Sequence, residues 1–321
     1  MAVYTQVDED ELEQFLAGYD LGSVMSFKGI AEGVENTNYL LHTERGYFIL
    51  TLYEKRVAAA DLPFFVALME HLAARGINCP QPVKNRKGAA LGELAGRPAM
   101  IVTYLEGVWL RRPHVQHCMA LGRAMAELHE AGANFKLTRE NALGLAGWKK
   151  LAPVAEPRAD EVAPGLAQLI HDELGYLEKN WPRALPAGVI HADLFPDNVF
   201  FLGEKLSGLI DFYFACNDLL VYDIAISLNS WCFEIDGSFN VTKSQALFSG
   251  YNSVRKLERG EVESLPLLAR GASLRILLTR TIDWLNVPPG ALVRPKDPQE
   301  YLKKLRFHRR IDHARDYGLA A

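Results

Sequence analysis

The run His191-Ala192-Asp193-Leu194-Phe195-Pro196-Asp197-Asn198 sets carboxylates and a side-chain amide between two apolar stretches, Val189-Ile190 before it and Val199-Phe200-Phe201-Leu202 after it. A further carboxylate, Asp211, closes the next apolar run, Leu206 to Ile210. Residues of these types at this spacing suit the movement of a phosphoryl group from ATP to an alcohol. An alcohol is a poor nucleophile at neutral pH, so a carboxylate within hydrogen-bond reach must orient it and take its proton as the new bond forms. Asp193 is assigned that role. Magnesium is a hard cation that prefers oxygen ligands and bridges phosphate oxygens; Asp211 and Asn198 offer a carboxylate and an amide oxygen for Mg2+. Either half of the pattern alone would mark a turn or a cap. Together, between strand-like flanks, they point to phosphoryl transfer. His191 is expected to brace the backbone rather than carry a proton.

Such groups need rigid elements to hold them, and the flanking apolar runs read as short strands. Upstream, Asp8-Glu9-Asp10-Glu11 followed by Leu12, Phe15 and Leu16 reads as a capped amphipathic helix, with Asp8 as cap and Val7 stapled onto Leu12. From Val24 to Glu54, alternating runs broken by Gly29, Gly33 and Gly46 read as antiparallel strands. A helix is expected from Asp61 to Arg75, then more strand closing with Ala99 to Leu105. Glu106-Gly107 marks a hinge. Beyond it, helical periodicity covers 114–131, 164–180, 218–233, 241–257, 262–285 and 297–318, while Pro153 to Pro164 reads as a flexible loop. The expectation is an α+β fold of two lobes: residues 1–105, an antiparallel sheet with a helix, and residues 106–321, larger and mainly helical.

With 321 residues, 49% of them hydrophobic, the chain can bury two such cores. A net charge of −4 gives no sign of a nucleic-acid surface, and no apolar stretch is long enough to span a bilayer. The amino terminus lacks the basic and apolar segments of a secretory signal, so a cytoplasmic location is expected. Cys79, Cys118, Cys216 and Cys232 are scattered without a C-x-x-C pair and are expected as buried free thiols, neither disulfides nor zinc ligands. The basic run Lys303 to Ile311 is read as a solvated helix face.

Phe27 to Tyr39 could form a strand-turn-strand over a triphosphate. Backbone N–H groups at a glycine-bearing turn such as Gly33 cradle phosphate oxygens, and the amides of Asn36 and Asn38 add donors. There is no G-x-x-x-x-G-K-[ST] and no G-x-G-x-x-G, which sets aside a Walker-type site and a dinucleotide fold.

The order of strand-rich lobe, Tyr104-Leu105-Glu106-Gly107, the 191–198 loop, Ile210-Asp211-Phe212 and Tyr222-Asp223-Ile224-Ala225 resembles the aminoglycoside phosphotransferase and choline kinase superfamily, with its protein-kinase-like fold, over most of the chain. Within it, Gly33-Val34-Glu35-Asn36-Thr37-Asn38-Tyr39, Ile49 to Lys55, Asp61 to Phe65 and Thr279 to Leu285 are similar to the homoserine kinases of this fold. The resemblance implies ATP-dependent phosphorylation of the L-homoserine hydroxyl, a step feeding threonine synthesis. It also implies Asp193 as base, Asn198 and Asp211 as magnesium ligands, and backbone groups at Thr103, Tyr104 and Leu105 as the adenine site. Asp223 is expected to brace the loop.

Two departures stand out. Kinase-like folds place a lysine on the third strand and a glutamate on the next helix; here Thr51 and Phe65 take those positions, and Lys28 or Lys55 is left to help neutralise phosphate. The glycine of the D-F-G segment is Tyr213. Homoserine is a zwitterion, so its pocket should offer both charges. Arg280 and Asp283 on one helix could clamp it, or pair with each other. A choline-like substrate would instead want an aromatic cage, for which Trp231, Phe233 and Trp284 are available. The alternatives are a choline, ethanolamine or aminoglycoside kinase of the same fold, or a catalytically silent nucleotide-binding module.

Overall fold

Alternation in Thr37–Thr43 turns Thr37, Tyr39, Leu41 and Thr43 to one buried side, and this strand is the second of a five-stranded antiparallel sheet. The structure is a computed structural model and describes residues 5–30, 36–54, 57–287 and 295–319. The chain divides into two units, Met1–Glu106 with Gly208–Tyr213, and Gly107–Ser207 with Phe214–Ala321.

The first unit holds helix α1 (Glu9–Leu16), strands β1 (Val24–Gly29), β2 (Thr37–Thr43) and β3 (Gly46–Leu52), helix α2 (Leu62–Ala73), and strands β4 (Leu91–Leu94) and β5 (Arg97–Thr103). The sheet order is β1-β2-β3-β5-β4. Asp8 caps α1 by accepting from the Asp10 N–H at 2.9 Å. Val7, Leu12 and Leu16 then join Tyr39, Leu41, Leu50, Leu52 and Ile101 in one core. Burial of that many large apolar side chains, each contributing about 1.5–3 kcal/mol, fixes the register that sets Thr51 opposite Asn38 and Met100.

The second unit runs β6 (Val108–Trp109), α3 (Val115–Gly132), α4 (Leu145–Ala159), α5 (Leu166–Asn180), β7 (Ala187–Ile190), β8 (Val199–Leu202), β9 (Lys205–Leu209, its last residues passing into the first unit), β10 (Cys216–Leu219), α6 (Leu220–Trp231), α7 (Val241–Asn252), α8 (Arg259–Leu285) and α9 (Gln299–His308). β7 pairs with β10, and β8 lies between β6 and β9. The fold is therefore α+β, as expected. All four cysteines are buried and free, and burial pushes the thiols of Cys79, Cys118 and Cys216 up to about 12.

Three expectations are corrected. The proposed loop at Pro153 is the second half of α4, which carries both Pro153 and Pro157. The two prolines are exposed while Trp148, Ala152, Ala155 and Ala159 form a buried stripe. The backbone bonds lost to proline fall on the wet side, and packing against α5 and α8 keeps the helix. The segment expected to be helical from 218 begins as strand β10, because its backbone completes the ladder with β7. The basic run of α9 is not wholly solvated. Lys303, Arg306 and Arg310 are exposed, but Lys304 is buried, donating to the Asn229 carbonyl at 2.8 Å and pairing with Glu300. His308 is buried between Asn229 and Tyr317, where burial and the charge of Lys304 push its pKa down to about 3.

Helices α3 and α7 approach through glycine. A Cβ on Gly122 would strike the Leu247 carbonyl, and one on Gly250 would strike the Met119 carbonyl. This crossing sets His129 of α3 against Tyr251 of α7, at 2.8 Å between Nδ1 and the hydroxyl. Gly122→Ala is expected to lose about 1–3 kcal/mol through overpacking and to lower Tm by several degrees. Gly175→Ala, exposed on α5 with nothing near its Cβ, should leave Tm unchanged or raise it. Differential scanning fluorimetry separates the two.

Candidate active site

Strand β7 delivers the chain into the 191–198 loop, and the register Ile190↔Cys216 anchors its start. The first two loop residues are held by one carboxylate. Asp223, wholly buried at the start of α6, accepts from the His191 N–H at 2.8 Å and from the Ala192 N–H at 2.7 Å. Burial works to raise its pKa. The hydrogen bonds from His129 and from the His191 N–H outweigh that and hold it below the usual carboxylate range. His129 Nε2 meets the same carboxylate at 3.1 Å, and the Tyr251 hydroxyl meets His129 Nδ1. Arg255 donates to that hydroxyl at 3.0 Å and grips the buried Glu261 with both arms. With Arg255 as obligatory donor, the directions follow: Tyr251 donates to Nδ1 and Nε2 donates to Asp223. The expected bracing by Asp223 is seen, and His191 contributes its backbone to it.

Ala192 has φ +61°, a left-handed conformation that costs a non-glycine residue about 1–2 kcal/mol. Its carbonyl accepts a very short hydrogen bond from Nη1 of Arg275, a buried residue of α8. Arg275 Nη2 lies 3.5 Å from Asp193 Oδ1, and the guanidinium stands over the Phe214 ring at 5.6 Å. The other face of Asp193 meets Asn198, whose Nδ2 donates to the Asp193 carbonyl at 2.8 Å and to Oδ2 at 3.0 Å. A 3-10 turn, Pro196–Asn198, closes the spacing between them. Leu194, between the two functional residues, has its carbonyl held by Trp231 Nε1 at 2.8 Å. Asp193 thus keeps a partly exposed carboxylate on an immobilised backbone, which is what a proton acceptor for a small alcohol requires.

Asn198 spends its amide nitrogen on Asp193, so its oxygen is the atom left for a cation. Asp211, in the first unit, follows β9 with φ +64° and opens a 3-10 turn, Phe212–Phe214. Both offer hard oxygen donors, the chemistry that suits magnesium.

The remaining predicted residues fall as follows. Asn36 Oδ1 accepts from the Glu54 N–H at 3.2 Å, joining the residues just before β2 and just after β3, and Asn38 Oδ1 accepts from the Thr51 hydroxyl at 2.7 Å, tying β2 to β3. Gly33 and Lys55 lie outside the described residues; Lys28 is exposed on β1. Thr103 ends β5 and exchanges bonds of 2.9 Å with Gln81, after which Tyr104 and Leu105 lie outside the ladder. Arg280 pairs with Glu300 at 2.6 Å and stacks on Tyr301, while Asp283 sits half-buried in the last turn of α8. Trp231 is buried, Trp284 is largely exposed, and Phe233 packs on Phe239 and Phe307. Arg275 and Glu300 were not anticipated. An arginine inside the apolar run Gly271 to Leu278 is the one sequence signal that would have flagged Arg275.

The model of the phosphotransferase enzyme family matches residues 26–257. The homoserine kinase of Xanthobacter autotrophicus is 66% identical over 321 residues, covering 100% of both chains. That of Bradyrhizobium diazoefficiens is 65% identical over 320 residues, covering 99% of this chain and 98% of its own. Among solved structures, an amicoumacin kinase in complex with AMP-PNP and Ca2+ superposes with TM-score 0.69 at 16% identity, over 95% of this chain and 93% of its own. The choline kinase of Cryptosporidium parvum gives 0.69 at 13% identity, over 94% of each. At such identities the two structures speak for the protein-kinase-like fold. Among the described residues, no helix is long and apolar enough to cross a membrane.

Proposed function

The chain belongs to the phosphotransferase enzyme family, and from that premise we propose that it transfers the γ-phosphoryl group of ATP to the side-chain hydroxyl of L-homoserine, giving O-phospho-L-homoserine and ADP. The observation that carries this is the identity of about two-thirds with homoserine kinases over the whole chain, joined to a loop in which Asp193 is locked from both sides.

Asp193 orients the homoserine hydroxyl and accepts its proton as the oxygen attacks the γ-phosphorus; the bond to the β-phosphate oxygen breaks and its electron pair leaves with ADP. Transfer is direct, without a phosphoenzyme. Asn198 and Asp211 would hold Mg2+, which when bound neutralises phosphate charge. Residues 1–105 bind the nucleotide, with the backbone of Thr103, Tyr104 and Leu105 on adenine and Gly33, Asn36 and Asn38 toward the phosphates; residues 106–321 supply catalysis and the substrate site. Arg280 is the cation for the homoserine carboxylate, with Asp283 on the same helix for the ammonium. Glu300 occupies Arg280 meanwhile. Dependence on ATP and on a soluble amino acid supports a cytoplasmic location, where the product would feed threonine synthesis.

A coupled ADP-release assay with Mg·ATP and L-homoserine, choline, ethanolamine, L-serine and an aminoglycoside tests the reading. Turnover is expected with homoserine and at least about a hundredfold less with choline, ethanolamine and the aminoglycoside, since a site built for two charges rejects a ligand that leaves one unpaired; L-serine carries both charges but is one methylene shorter, so its hydroxyl falls short of Asp193 and slower turnover is expected. Faster turnover of another alcohol would overturn the substrate assignment, and no ADP release with any of them would overturn the activity.

A further inference from the structure

Kinase-like folds join the third strand to the following helix by a lysine–glutamate ion pair beside the metal-binding aspartate. Here Thr51 and Phe65 hold those two positions, so both charges are gone together, and no buried charge is stranded. The structure fills the place with aromatic rings. Tyr213, two residues beyond Asp211, meets Phe65 of α2 edge-on at 5.7 Å and Tyr53 edge-on at 5.1 Å. The Tyr53 hydroxyl donates to the Tyr213 hydroxyl at 3.1 Å. Tyr53 follows β3 directly and is fixed in turn by its N–H on the Pro98 carbonyl at 2.9 Å. The strand side and the helix side that an ion pair would have linked are therefore both tied to the Asp211 segment.

We propose that Tyr213, backed by Tyr53 and Phe65, is a positioning residue for Asp211 that replaces the strand lysine–helix glutamate pair with a neutral clamp.

Asp211 has a reason to need one. Its φ of +64° lies in the left-handed region, which is uncommon for a non-glycine residue although aspartate tolerates it better than most, and packing that holds the segment favours keeping it there. A lysine in this place would draw the carboxylate to itself; two phenols bring no competing charge.

The inference rests on reading Asp211 as a magnesium ligand, so Asp211→Asn accompanies Tyr213→Phe and Tyr53→Phe in the test. The phenylalanine variants keep the rings and lose only a hydroxyl. Calorimetry measures ADP affinity with and without Mg2+, and kinetics gives the Mg2+ concentration for half-maximal turnover and the two KM values. Tyr213→Phe is expected to weaken ADP binding about fivefold to tenfold in the presence of Mg2+, the scale of one lost hydrogen bond. ADP affinity without Mg2+ and KM for homoserine should be unchanged, Tm should fall by no more than a few degrees, the scale of the same lost hydrogen bond, and Tyr53→Phe should follow in the same direction by less. Equal loss of affinity with and without Mg2+, or a fall in Tm that accounts for the effect, would mean a purely structural role and would overturn the proposal. If Asp211→Asn abolishes the Mg2+ effect while both phenylalanine variants match the parent, the clamp fails and the metal assignment stands. If Asp211→Asn keeps the Mg2+ effect, the metal assignment fails and the clamp with it.

Discussion

Asp193→Asn is expected to lower kcat about a hundredfold to ten-thousandfold, the range over which a positioned general base acts, while leaving Mg·ATP affinity unchanged. The substitution is nearly isosteric, and the amide can turn its oxygen to Asn198 Nδ2 and preserve the bond of 3.0 Å that fixes the loop. What it cannot do is accept a proton. Because Asp193 is partly exposed and its backbone is held by other residues, Tm should hardly move. Single-turnover kinetics with bound ATP isolates the chemical step, and isothermal titration checks nucleotide binding. If phosphorylation of homoserine continued at the parent rate, Asp193 would not be the base. If kcat fell together with Mg·ATP affinity, its part would lie in binding rather than in proton transfer.

The sequence was most legible where function depends on neighbours along the chain. Asp193 and Asn198 sit within one turn, so their contact is set by a few backbone angles and by Pro196, and types and spacing suffice to find them. The strands of the sheet were legible for the same reason, since alternation along Thr37–Thr43 is a local signal. Groups that reach the loop from a distance were harder. His129 meets a carboxylate 94 residues away and Arg275 a carbonyl 83 residues away, and nothing in local pattern encodes such pairings. Asp223 could be expected as a brace from its motif, but the number of bonds it collects depends on α3, α6 and β7 meeting. Proline misled for a related reason. Local propensity reads Pro153 and Pro157 as breakers, whereas the buried stripe on the opposite face of α4 decides the outcome. Arg280 shows the same lesson at the substrate end: its partner, Glu300, comes from a different helix.

Arg275→Met is expected to lower kcat by about a hundredfold with little change in either KM, because the residue shapes the loop rather than the binding of either substrate. The guanidinium spans two groups at once: Nη1 on the Ala192 carbonyl and Nη2 toward Asp193 Oδ1. Ala192 is already held from its N–H by Asp223, so the pair of contacts pins a strained residue at both ends and delivers the next one, Asp193, in a single orientation. Methionine fills much of the space and removes the fork. Lysine restores the charge but, as a point donor, reaches one of the two groups; Arg275→Lys should recover part of the lost rate, and a variant that recovered all of it would show charge alone to be sufficient. The decisive measurement is a double-mutant cycle. If Arg275 acts through Asp193, adding Arg275→Met to Asp193→Asn costs little more in kcat than Asp193→Asn alone. Independent, multiplicative losses would instead place Arg275 on the substrate or the phosphate, and the loop would then be held by Asp223, Trp231 and Asn198 without it.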